Sequence, residues 1–525
     1  MTFTGMLFPY QQEAVDKMIA RQQVLVAYDL GLGKTVLTIA ALEHLRSKGE
    51  YTQPVIVVCL SSLKYQWCKE INKFSDSSAL VIDGNRRQRD VQYDEFEKNP
   101  SDYLIVNYEQ VVNDWKYLSQ CEFGALVMDE ATAIKSFRSK RTKRVKELSK
   151  HIPIRFGLTG TPIENGKPEE LFSILQSIDP DLLGRFDLFD NTFIVRNAFG
   201  GVDRYRNLPT LASRLGEATV RKSQTDPDVA PFLPDTIHRD PIMVPLDRNA
   251  ARIYRMIATQ LQDDLADAQG LFTKSFNVEA HYGHGSLFHG GADSEMGQIM
   301  SKVTALKMLC DDPELIAASA AKYDPYVANQ GSKYLYDLLG DESVVAILKK
   351  SKNTKLEVLK VVVSDHLNAD DNKLVIFCSY IDLAQTIQQA VGGVVYTGQM
   401  SAKDKEAAKV RFQTEPSVRI LVSTDAGGYG VDLPEANLLI NYDLPWSAGL
   451  ATQRNGRIRR ASSKWPSIVI QDILSSDTIE ERQHALLHQK NAVASAIIDG
   501  EGINEAGGVD LTVGALVQFL KETQP

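Results

Sequence analysis

The sequence has few cysteines and no long hydrophobic run. Five cysteines in 525 residues include no Cys-X-X-Cys pair, which excludes a disulfide framework and predicts reduced thiols. No uncharged apolar stretch approaches the roughly 18 residues that cross a bilayer, and the N-terminus lacks the basic and apolar regions of a signal peptide. We therefore expect a soluble cytoplasmic protein with no membrane partner.

Basic residues are fewer than acidic residues. With 58 Lys and Arg residues against 67 Asp and Glu residues, the net charge is −9, which argues against a surface coated with phosphate-binding cations but permits a local basic groove. The densest cationic stretch is KSFRSKRTKRVKELSK, from Lys135 to Lys150. It either meets a polynucleotide backbone or forms a solvated helix face, since like charges four residues apart repel.

Length and composition predict several folded domains. The 43% of hydrophobic residues and 24% of charged residues are typical of globular proteins. Short β-branched runs alternate with amphipathic stretches in two regions, which predicts two α/β domains, each a doubly wound parallel sheet. The predicted strands are 24–28, 55–60, 102–108, 125–130, 155–160, 373–379, 393–398, 419–425, 437–443 and 466–474.

The residues between these two regions have a different sequence pattern. Helical periodicity predicts helical insertions, and the stretch NVEAHYGHGSLFHGGADSE predicts a flexible loop. No cysteine or close group of carboxylates accompanies His281, His284 and His289, so we interpret them as loop residues and not as zinc ligands. The predicted domains are 1–184 and 351–490, with insertions at 185–350 and a C-terminal extension at 491–525.

The strongest local motif is an apolar strand that runs into GLGKT and then a helix. Gly31 and Gly33 let the backbone wrap a phosphate, and the helix that begins near Lys34 points its N–H groups at the anion. Lys34 neutralises the outer phosphates, and Thr35 places its hydroxyl on Mg²⁺. Tyr28 stands where the full GxxxxGKT pattern has its first glycine.

An acidic pair ends a second strand, in ALVMDEAT. Asp129 is suited to hold Mg²⁺, and Glu130 is suited to polarise an attacking water. Two adjacent carboxylates at a buried strand end are costly unless a cation or a proton-transfer role compensates them. Together with GLGKT, the pair predicts hydrolysis of a nucleotide.

The motifs GLGKT, DEAT, LTGTP and QRNGRIRR occur in the order of the superfamily 2 helicase motifs. More narrowly, the sequence resembles the Swi/Snf-type (sucrose-nonfermenting) DNA-translocating ATPases, through LFPYQQEAV, VVCLSSLKYQW, DEATAIKS, LTGTPIENGKPEEL and STDAGGYGVDL. The matches cover most of residues 6–180 and 352–485. The resemblance implies two RecA-like domains with helical insertions, and an enzyme that hydrolyses ATP with Mg²⁺ to move along duplex DNA.

The resemblance also assigns arginines in the second domain. Arg457 and Arg460 are the expected arginine fingers, three residues apart on one side of a helical turn, and their guanidinium groups would meet the charge of a transferring phosphoryl group. Arg454 and Arg459 are expected to face solvent or the domain interface. Because GLGKT and DEAT lie in the first domain, the active site is expected in the cleft between the two domains.

Further nucleotide contacts follow from the resemblance. Gln11 is expected to meet the adenine edge, and Thr159 and Thr161 to link the γ-phosphate to domain movement. The predicted metal ligands are Thr35 and Asp129. The implied catalytic residues are Lys34, Asp129, Glu130, Arg457 and Arg460, and the implied nucleotide-binding residues are Gln11, Gly31, Leu32, Gly33, Lys34, Thr35, Gly430 and Asp432.

A DNA track across both domains is likewise implied. Small hydroxyls and glycine N–H groups suit phosphates, which give register without sequence information. Trp67 is more readily interpreted as a packed aromatic than as a base stacker. The implied track residues are Ser61, Ser62, Gln66, Trp67, Asn107, Tyr108, Ser379, Thr397, Gly398, Gln399, Ser423, Thr424, Gly427 and Gly428.

Several residues depart from the family pattern. Thr132 replaces a histidine that is expected to couple hydrolysis to DNA, so that coupling is expected to be altered. Asp425 adds a carboxylate to the STxAGG motif. Around Arg221 and Lys222, the segment ATVRKSQTDPDVAPFLP resembles the family's RRxK and LP signature only weakly.

Other functions stay open at this point. The expected partner is double-stranded DNA, with single-stranded DNA as an alternative, and the expected state is a monomer, associated with the nucleoid in a bacterium or virus. A strand-separating or branch-remodelling helicase and an RNA-dependent ATPase remain alternatives. A catalytically silent clamp is disfavoured because the residues for hydrolysis are present.

Overall fold

The computed structural model describes residues 3–196, 202–268, 295–324, 326, 331–425, 431–499 and 505–507. The chain forms two compact units. The first unit comprises Met1–Val195, Arg204–Leu233 and Ala492–Gly507, and the second comprises Arg196–Asp203, Pro234–Asn491 and Gly508–Pro525. The predicted histidine loop at His281, His284 and His289 lies outside the described residues.

The first unit is built on a sheet of seven parallel strands in the order β3-β4-β2-β5-β6-β1-β9. The strands are β1 (Gln23–Tyr28), β2 (Val55–Cys59), β3 (Ala79–Val81), β4 (Tyr103–Asn107), β5 (Ala125–Asp129), β6 (Ile154–Leu158) and β9 (Thr219–Lys222). A small separate sheet has the order β17-β8-β7, from β7 (Ile194–Arg196), β8 (Val202–Tyr205) and β17 (Ala506–Gly507).

Helices cover both faces of this sheet, as in other parallel sheets. Its central strands are therefore buried along their whole length. The helices before β9 are α1 (Pro9–Arg21), α2 (Lys34–Ser47), α3 (Lys64–Phe74), α4 (Arg86–Lys98), α5 (Tyr108–Asn113), α6 (Trp115–Leu118), α7 (Lys140–Ser149), α8 (Pro168–Ile178), α9 (Phe186–Phe193) and α10 (Leu208–Ala218). Short 3₁₀ turns cover Ser61–Leu63, Ala131–Ile134 and Ala230–Phe232.

The second unit contains another parallel sheet, in the order β10-β16-β15-β12-β14-β13, with β11 also paired to β16. Its strands are β10 (Asp235–His238), β11 (Ile242–Val244), β12 (Leu374–Cys378), β13 (Val394–Tyr396), β14 (Ile420–Thr424), β15 (Leu438–Asn441) and β16 (Ser467–Ser475). The helices are α11 (Arg248–Ala268), α12 (Glu295–Asp311), α13 (Glu314–Ala321), α14 (Lys333–Leu338), α15 (Glu342–Leu348), α16 (Thr354–His366), α17 (Ile381–Val391), α18 (Ala402–Thr414), α19 (Ala448–Asn455) and α20 (Ile479–Ile498).

The inserted helices share a core with the second sheet. Tyr254 and Leu261 of α11 and Leu306 of α12 belong to the same buried cluster as Ile376 and Val422 of the strands. These two helices are therefore part of this unit's core.

The predicted fold class is confirmed, and each of the ten predicted strands overlaps an observed one. The predicted insertion region also contributes strands to the sheets, since β9 extends the first and β10 and β11 extend the second. Three of the five cysteines, Cys59, Cys310 and Cys378, are buried, and all five are free thiols. Among the helices in the described part of the chain, none is long and apolar enough to cross a membrane.

Candidate active site

The loop between β1 and α2 has the backbone of a phosphate-binding turn. Gly31 and Gly33 adopt φ values of 79° and 81°, in the left-handed region that favours glycine. A Cβ on Gly33 would lie 2.3 Å from Nε2 of Gln11. The backbone angle therefore favours glycine at this position, and a Cβ there would also displace the side-chain amide of Gln11.

Lys34 opens α2 and lies against the loop. Its Nζ donates to the carbonyl oxygens of Tyr28 and Asp29, at 2.8 and 3.2 Å. The first turn of α2 carries no acidic side chain, so nothing there offsets the positive end of the helix. A lysine, glycines with positive φ and this helix start are the donor set that a nucleotide phosphate needs.

Gln11 supports the loop from α1. Its Nε2 donates to the carbonyl of Leu32 at 3.0 Å, and its Oε1 accepts from the N–H of Phe8 at 3.0 Å. Tyr28, at the missing glycine position, is buried and donates its hydroxyl to the carbonyl of Tyr10. Gln11 thus lies beside the phosphate loop, while its contact with adenine stays a prediction.

Asp129 ends β5, which is separated from β1 by a single strand, β6. Its Oδ2 accepts from Nε1 of Trp67 at 2.7 Å, and its Oδ1 accepts from the N–H of Glu130 at 3.0 Å. Burial raises the pKa of the Asp129 carboxyl, against the opposing effects of the Trp67 hydrogen bond and the charge of Lys34. A bound cation would favour the ionised carboxylate.

Glu130 has a backbone conformation that is costly for a residue with a side chain. Its φ and ψ are 49° and 59°, and left-handed residues other than glycine cluster at functional sites. The hydroxyl of Tyr108 donates to the carbonyl of Asp129 at 2.8 Å, which holds the peptide bond that joins the two acidic residues. Asp129 is therefore held by hydrogen bonds both to its side chain and to its backbone carbonyl.

The LTGTP segment lies beside the phosphate loop. Thr159 directly follows β6, and its N–H donates to the carbonyl of Val26 in β1 at 3.0 Å. A Cβ on Gly160 would lie 3.1 Å from Cγ of Leu30. Thr161 donates its N–H to Oγ1 of Thr159 at 3.1 Å. This placement brings the two predicted threonines close to the loop, and their role in domain movement stays a prediction.

The structure separates the predicted DNA contacts of the first unit into exposed and buried residues. Ser61 and Ser62, in the 3₁₀ turn before α3, and Gln66 of α3 are exposed. Trp67 and Tyr108 are each only 1% exposed, so neither presents a surface to a nucleic acid. Both side chains are directed to Asp129, and their assignment as DNA contacts stays a prediction.

Asn107, the remaining predicted contact of this unit, has a local structural role. Its Oδ1 accepts from the N–H of Gln110 at 2.8 Å and caps α5. The side chain is partly exposed.

The two predicted arginine fingers lie in the second unit, after α19. This helix ends at Asn455, so Arg457 and Arg460 follow it in a turn and do not share a helical face, which corrects that expectation. Arg460 forms an ion pair with Asp432 at 2.6 Å. Both members of this pair are predicted site residues. Burial alone would raise the pKa of Asp432, but the charge of Arg460 holds that pKa below its usual range.

Arg454 does not face solvent, which was one of the two alternatives expected for this residue. It is 2% exposed and forms ion pairs with Asp425 and with Asp443, the second at 3.2 Å. Buried charges are tolerated when they are paired. The carboxylate of Asp425, which departs from the family pattern, is therefore the partner of a buried arginine.

The predicted DNA contacts of the second unit are also divided. Gly398 and Gln399 are exposed, whereas Thr397, Ser423 and Thr424 are buried. Ser379 donates its N–H and its hydroxyl to Asp443, at 2.6 and 2.9 Å. The exposed residues are the better placed of these candidates, and the DNA contacts of the three buried residues stay predictions. Three predicted glycines lie outside the described residues, at Gly427, Gly428 and Gly430.

Sequence reasoning missed the residues that support the phosphate loop from β9. Arg221 pairs with Asp29 of the loop and with Asp499, the second at 2.9 Å. Gln224 donates its side-chain N–H to the carbonyl of Leu30 at 2.7 Å. The weak RRxK resemblance at Arg221 was the only sequence signal for this support.

The basic run forms α7 and the turn before it. Several of its cations have acidic partners, since Lys135 pairs with Glu164, Arg141 with Glu109, and Arg144 with Glu147. Others on the same helix, Lys140 and Lys143, are exposed. The run therefore still allows both interpretations, a contact with a polynucleotide backbone and a solvated helix face. The exposed lysines are its best candidates for phosphate contacts.

Comparison with known protein families identifies the family of this chain. The model of the SNF2-related domain matches residues 10–315, more than half of the chain, and the model of the helicase conserved C-terminal domain matches residues 354–462. The chain belongs to the SNF2-related family. The resemblance to Swi/Snf-type ATPases of superfamily 2 is confirmed.

Two curated proteins are similar to this chain over nearly its whole length. The putative ATP-dependent helicase/translocase YwqA of Bacillus subtilis is 24% identical over 95% of this chain, which spans 50% of YwqA. The human DNA repair and recombination protein RAD54B is 24% identical over 94% of this chain, which spans 54% of that protein. The chain therefore spans about half the length of these relatives.

Among solved structures, the Hef helicase domain from Pyrococcus furiosus is similar with a TM-score of 0.51 and 17% identity, over 91% of this chain and 97% of that domain. At this identity the likeness shows the helicase-core fold alone.

Proposed function

We propose that this SNF2-related chain is a DNA-dependent ATPase that couples ATP hydrolysis to movement along duplex DNA. The observation that carries the proposal is the pairing of two strand ends. β1 leads into the glycine loop and Lys34, and β5 presents Asp129 and Glu130. The names of the relatives, a helicase/translocase and a DNA repair and recombination protein, support DNA as the partner.

The residues of the first unit suit ATP with Mg²⁺. In this proposal the loop N–H groups and Lys34 bind the phosphates, and Thr35 and Asp129 hold the metal. One carboxylate is enough here, because Mg²⁺ in such sites takes one or two carboxylates together with substrate phosphates. When bound, Mg²⁺ supplies positive charge to the phosphates. Glu130 orients the attacking water, and Arg457 and Arg460 stabilise charge on the transferring phosphoryl group.

The proposed DNA contacts are phosphate contacts. The exposed candidates are hydroxyl, amide and glycine groups at Ser61, Ser62, Gln66, Gly398 and Gln399, which read a backbone without reading bases. Binding should therefore show little sequence preference. The activity would be cytoplasmic, and at the nucleoid in a bacterium or virus.

Duplex DNA is expected to raise the rate of ATP hydrolysis. The test measures hydrolysis side by side with duplex DNA, single-stranded DNA and RNA, each in two unrelated sequences. We expect the largest stimulation with duplex DNA and similar values for its two sequences. Stimulation mainly by RNA would favour the RNA-dependent alternative, and no stimulation by any polynucleotide would contradict the proposed function. Release of a strand from a labelled duplex would identify a strand-separating helicase.

The salt dependence of DNA binding should show which cations of α7 meet DNA. Two double variants each remove two charges from this helix, Lys140→Gln with Lys143→Gln and Arg141→Gln with Arg144→Gln. We expect replacement of the exposed lysine pair to reduce the slope of log affinity against log salt by about one unit per lost phosphate contact. The arginine pair, already bound to Glu109 and Glu147, should change it less. Unchanged slopes in both variants would make α7 a solvated face.

A further inference from the structure

Trp67 joins an exposed helix start to the carboxylate predicted to hold the metal. Its indole N–H donates to Oδ2 of Asp129 at 2.7 Å, and its ring is buried on α3. Its neighbour Gln66 is exposed, as are Ser61 and Ser62 one turn earlier. A buried hydrogen bond therefore connects α3 to the carboxylate of Asp129.

Tyr108 makes a second connection of the same kind. It is the first residue of α5 and follows Asn107, a predicted DNA contact that caps this helix. Its hydroxyl donates to the carbonyl of Asp129 at 2.8 Å. This carbonyl belongs to the peptide bond before Glu130, whose φ of 49° must be held by its surroundings.

The basic helix α7 also reaches this connection. The guanidinium of Arg141 lies 5.8 Å from the centre of the Tyr108 ring, within the range of a cation–π contact. Arg141 also pairs with Glu109, the next residue of α5. Thus α3 and α5 contact Asp129 directly, and α7 contacts Tyr108 and Glu109 of α5.

We propose that Trp67 and Tyr108 are positioning residues that transmit DNA contact on α3 and α5 to the Asp129–Glu130 pair. Trp67 sets the direction of the carboxylate, and Tyr108 sets the peptide that aims Glu130. The inference rests on the proposed function for its DNA and adds how that DNA is sensed. Both hydrogen bonds end on the acidic pair itself, one on the carboxylate of Asp129 and one on its backbone carbonyl.

Two conservative variants test the proposal. Trp67→Phe keeps an aromatic ring and removes the N–H, and Tyr108→Phe removes only the hydroxyl. The matched controls are Trp465→Phe, which removes an indole bond to the carbonyl of Glu435, and Tyr103→Phe, which removes a hydroxyl bond to Glu43. Thermal unfolding of all four variants identifies any that fail to fold.

The first readout needs no hydrolysis. Binding of a fluorescent, non-hydrolysable ATP analogue is titrated with Mg²⁺, with and without duplex DNA. Loss of a hydrogen bond to a metal ligand typically costs about 10- to 100-fold in metal affinity. We expect Trp67→Phe to need about 10-fold more Mg²⁺, and both test variants to lose the effect of DNA on this requirement. The two controls should match the parent.

The second readout is the ratio of ATP hydrolysis with and without duplex DNA, at saturating Mg²⁺. We expect this ratio to fall in Trp67→Phe and Tyr108→Phe while their affinity for DNA, measured by anisotropy, stays within about twofold of the parent, because neither side chain is exposed. A parental ratio and Mg²⁺ requirement in Tyr108→Phe and Trp67→Phe would overturn the proposal. A parent protein that no polynucleotide stimulates would instead overturn the proposed function, and the two failures are thus distinguished.

Discussion

Glu130→Gln is expected to bind ATP normally and to hydrolyse it about 10²- to 10⁴-fold more slowly, the usual contribution of a positioned proton acceptor. The amide keeps the size of the side chain at this left-handed position but cannot accept the proton of an attacking water. Lys34→Ala should differ in kind, because it removes a phosphate contact and therefore weakens binding itself. Nucleotide binding and single-turnover hydrolysis, measured separately, resolve the two effects.

Glu122→Gln provides the control for this prediction. Glu122 is an exposed carboxylate shortly before β5, so the same change on the same chain segment should leave hydrolysis unaltered. If Glu130→Gln turned over ATP at the parental rate, Glu130 would not be the residue that activates water. The acidic pair would then be limited to holding the metal.

Removal of Arg457 is expected to lower the turnover of ATP about 10³-fold and to leave nucleotide affinity nearly intact. An arginine that meets the phosphoryl group only as charge develops contributes to the transition state and not to ground-state binding. Arg457→Ala is therefore expected to lower kcat with little change in KM. Steady-state kinetics in the presence of duplex DNA measures both constants.

Arg459→Ala is the matched control, because it removes the same charge from the same turn. Its Nε donates to the carbonyl of Pro234 at 3.1 Å, a contact unrelated to the predicted finger. Its turnover should stay close to that of the parent. A loss for Arg457→Ala that appeared mainly in KM would make Arg457 a binding residue and would require another group to stabilise the transition state.

The sequence was sufficient for the parts of the molecule that local patterns determine. Parallel strands buried on both faces are continuous apolar runs, which is why all ten predicted strands overlap observed ones. Phosphate loops need glycines in a fixed order before a helix, so Gly31, Gly33 and Lys34 were also predictable. Asp129 and Glu130 were found because a pair of carboxylates at the end of an apolar strand is unusual.

The features that the sequence did not predict depend on contacts between residues far apart in the chain. Arg454 is a cation in a polar motif, and only the fold brings Asp425 and Asp443 to it. Trp67 follows an exposed glutamine, and its direction toward Asp129, 62 residues later, is set by the packing of α3 on the sheet. Such pairings leave no periodic signal in a single sequence.

The discontinuity of the first unit has a consequence for biosynthesis. Its last stretch, Ala492–Gly507, follows Pro234–Asn491, the longest stretch of the second unit. Asp499 nevertheless completes the ion pairs of Arg221, and β17 completes the pairing of β8. Domains made of one continuous stretch fold as they leave the ribosome. Here the nascent phosphate loop must wait for its last support until about 500 residues have been translated.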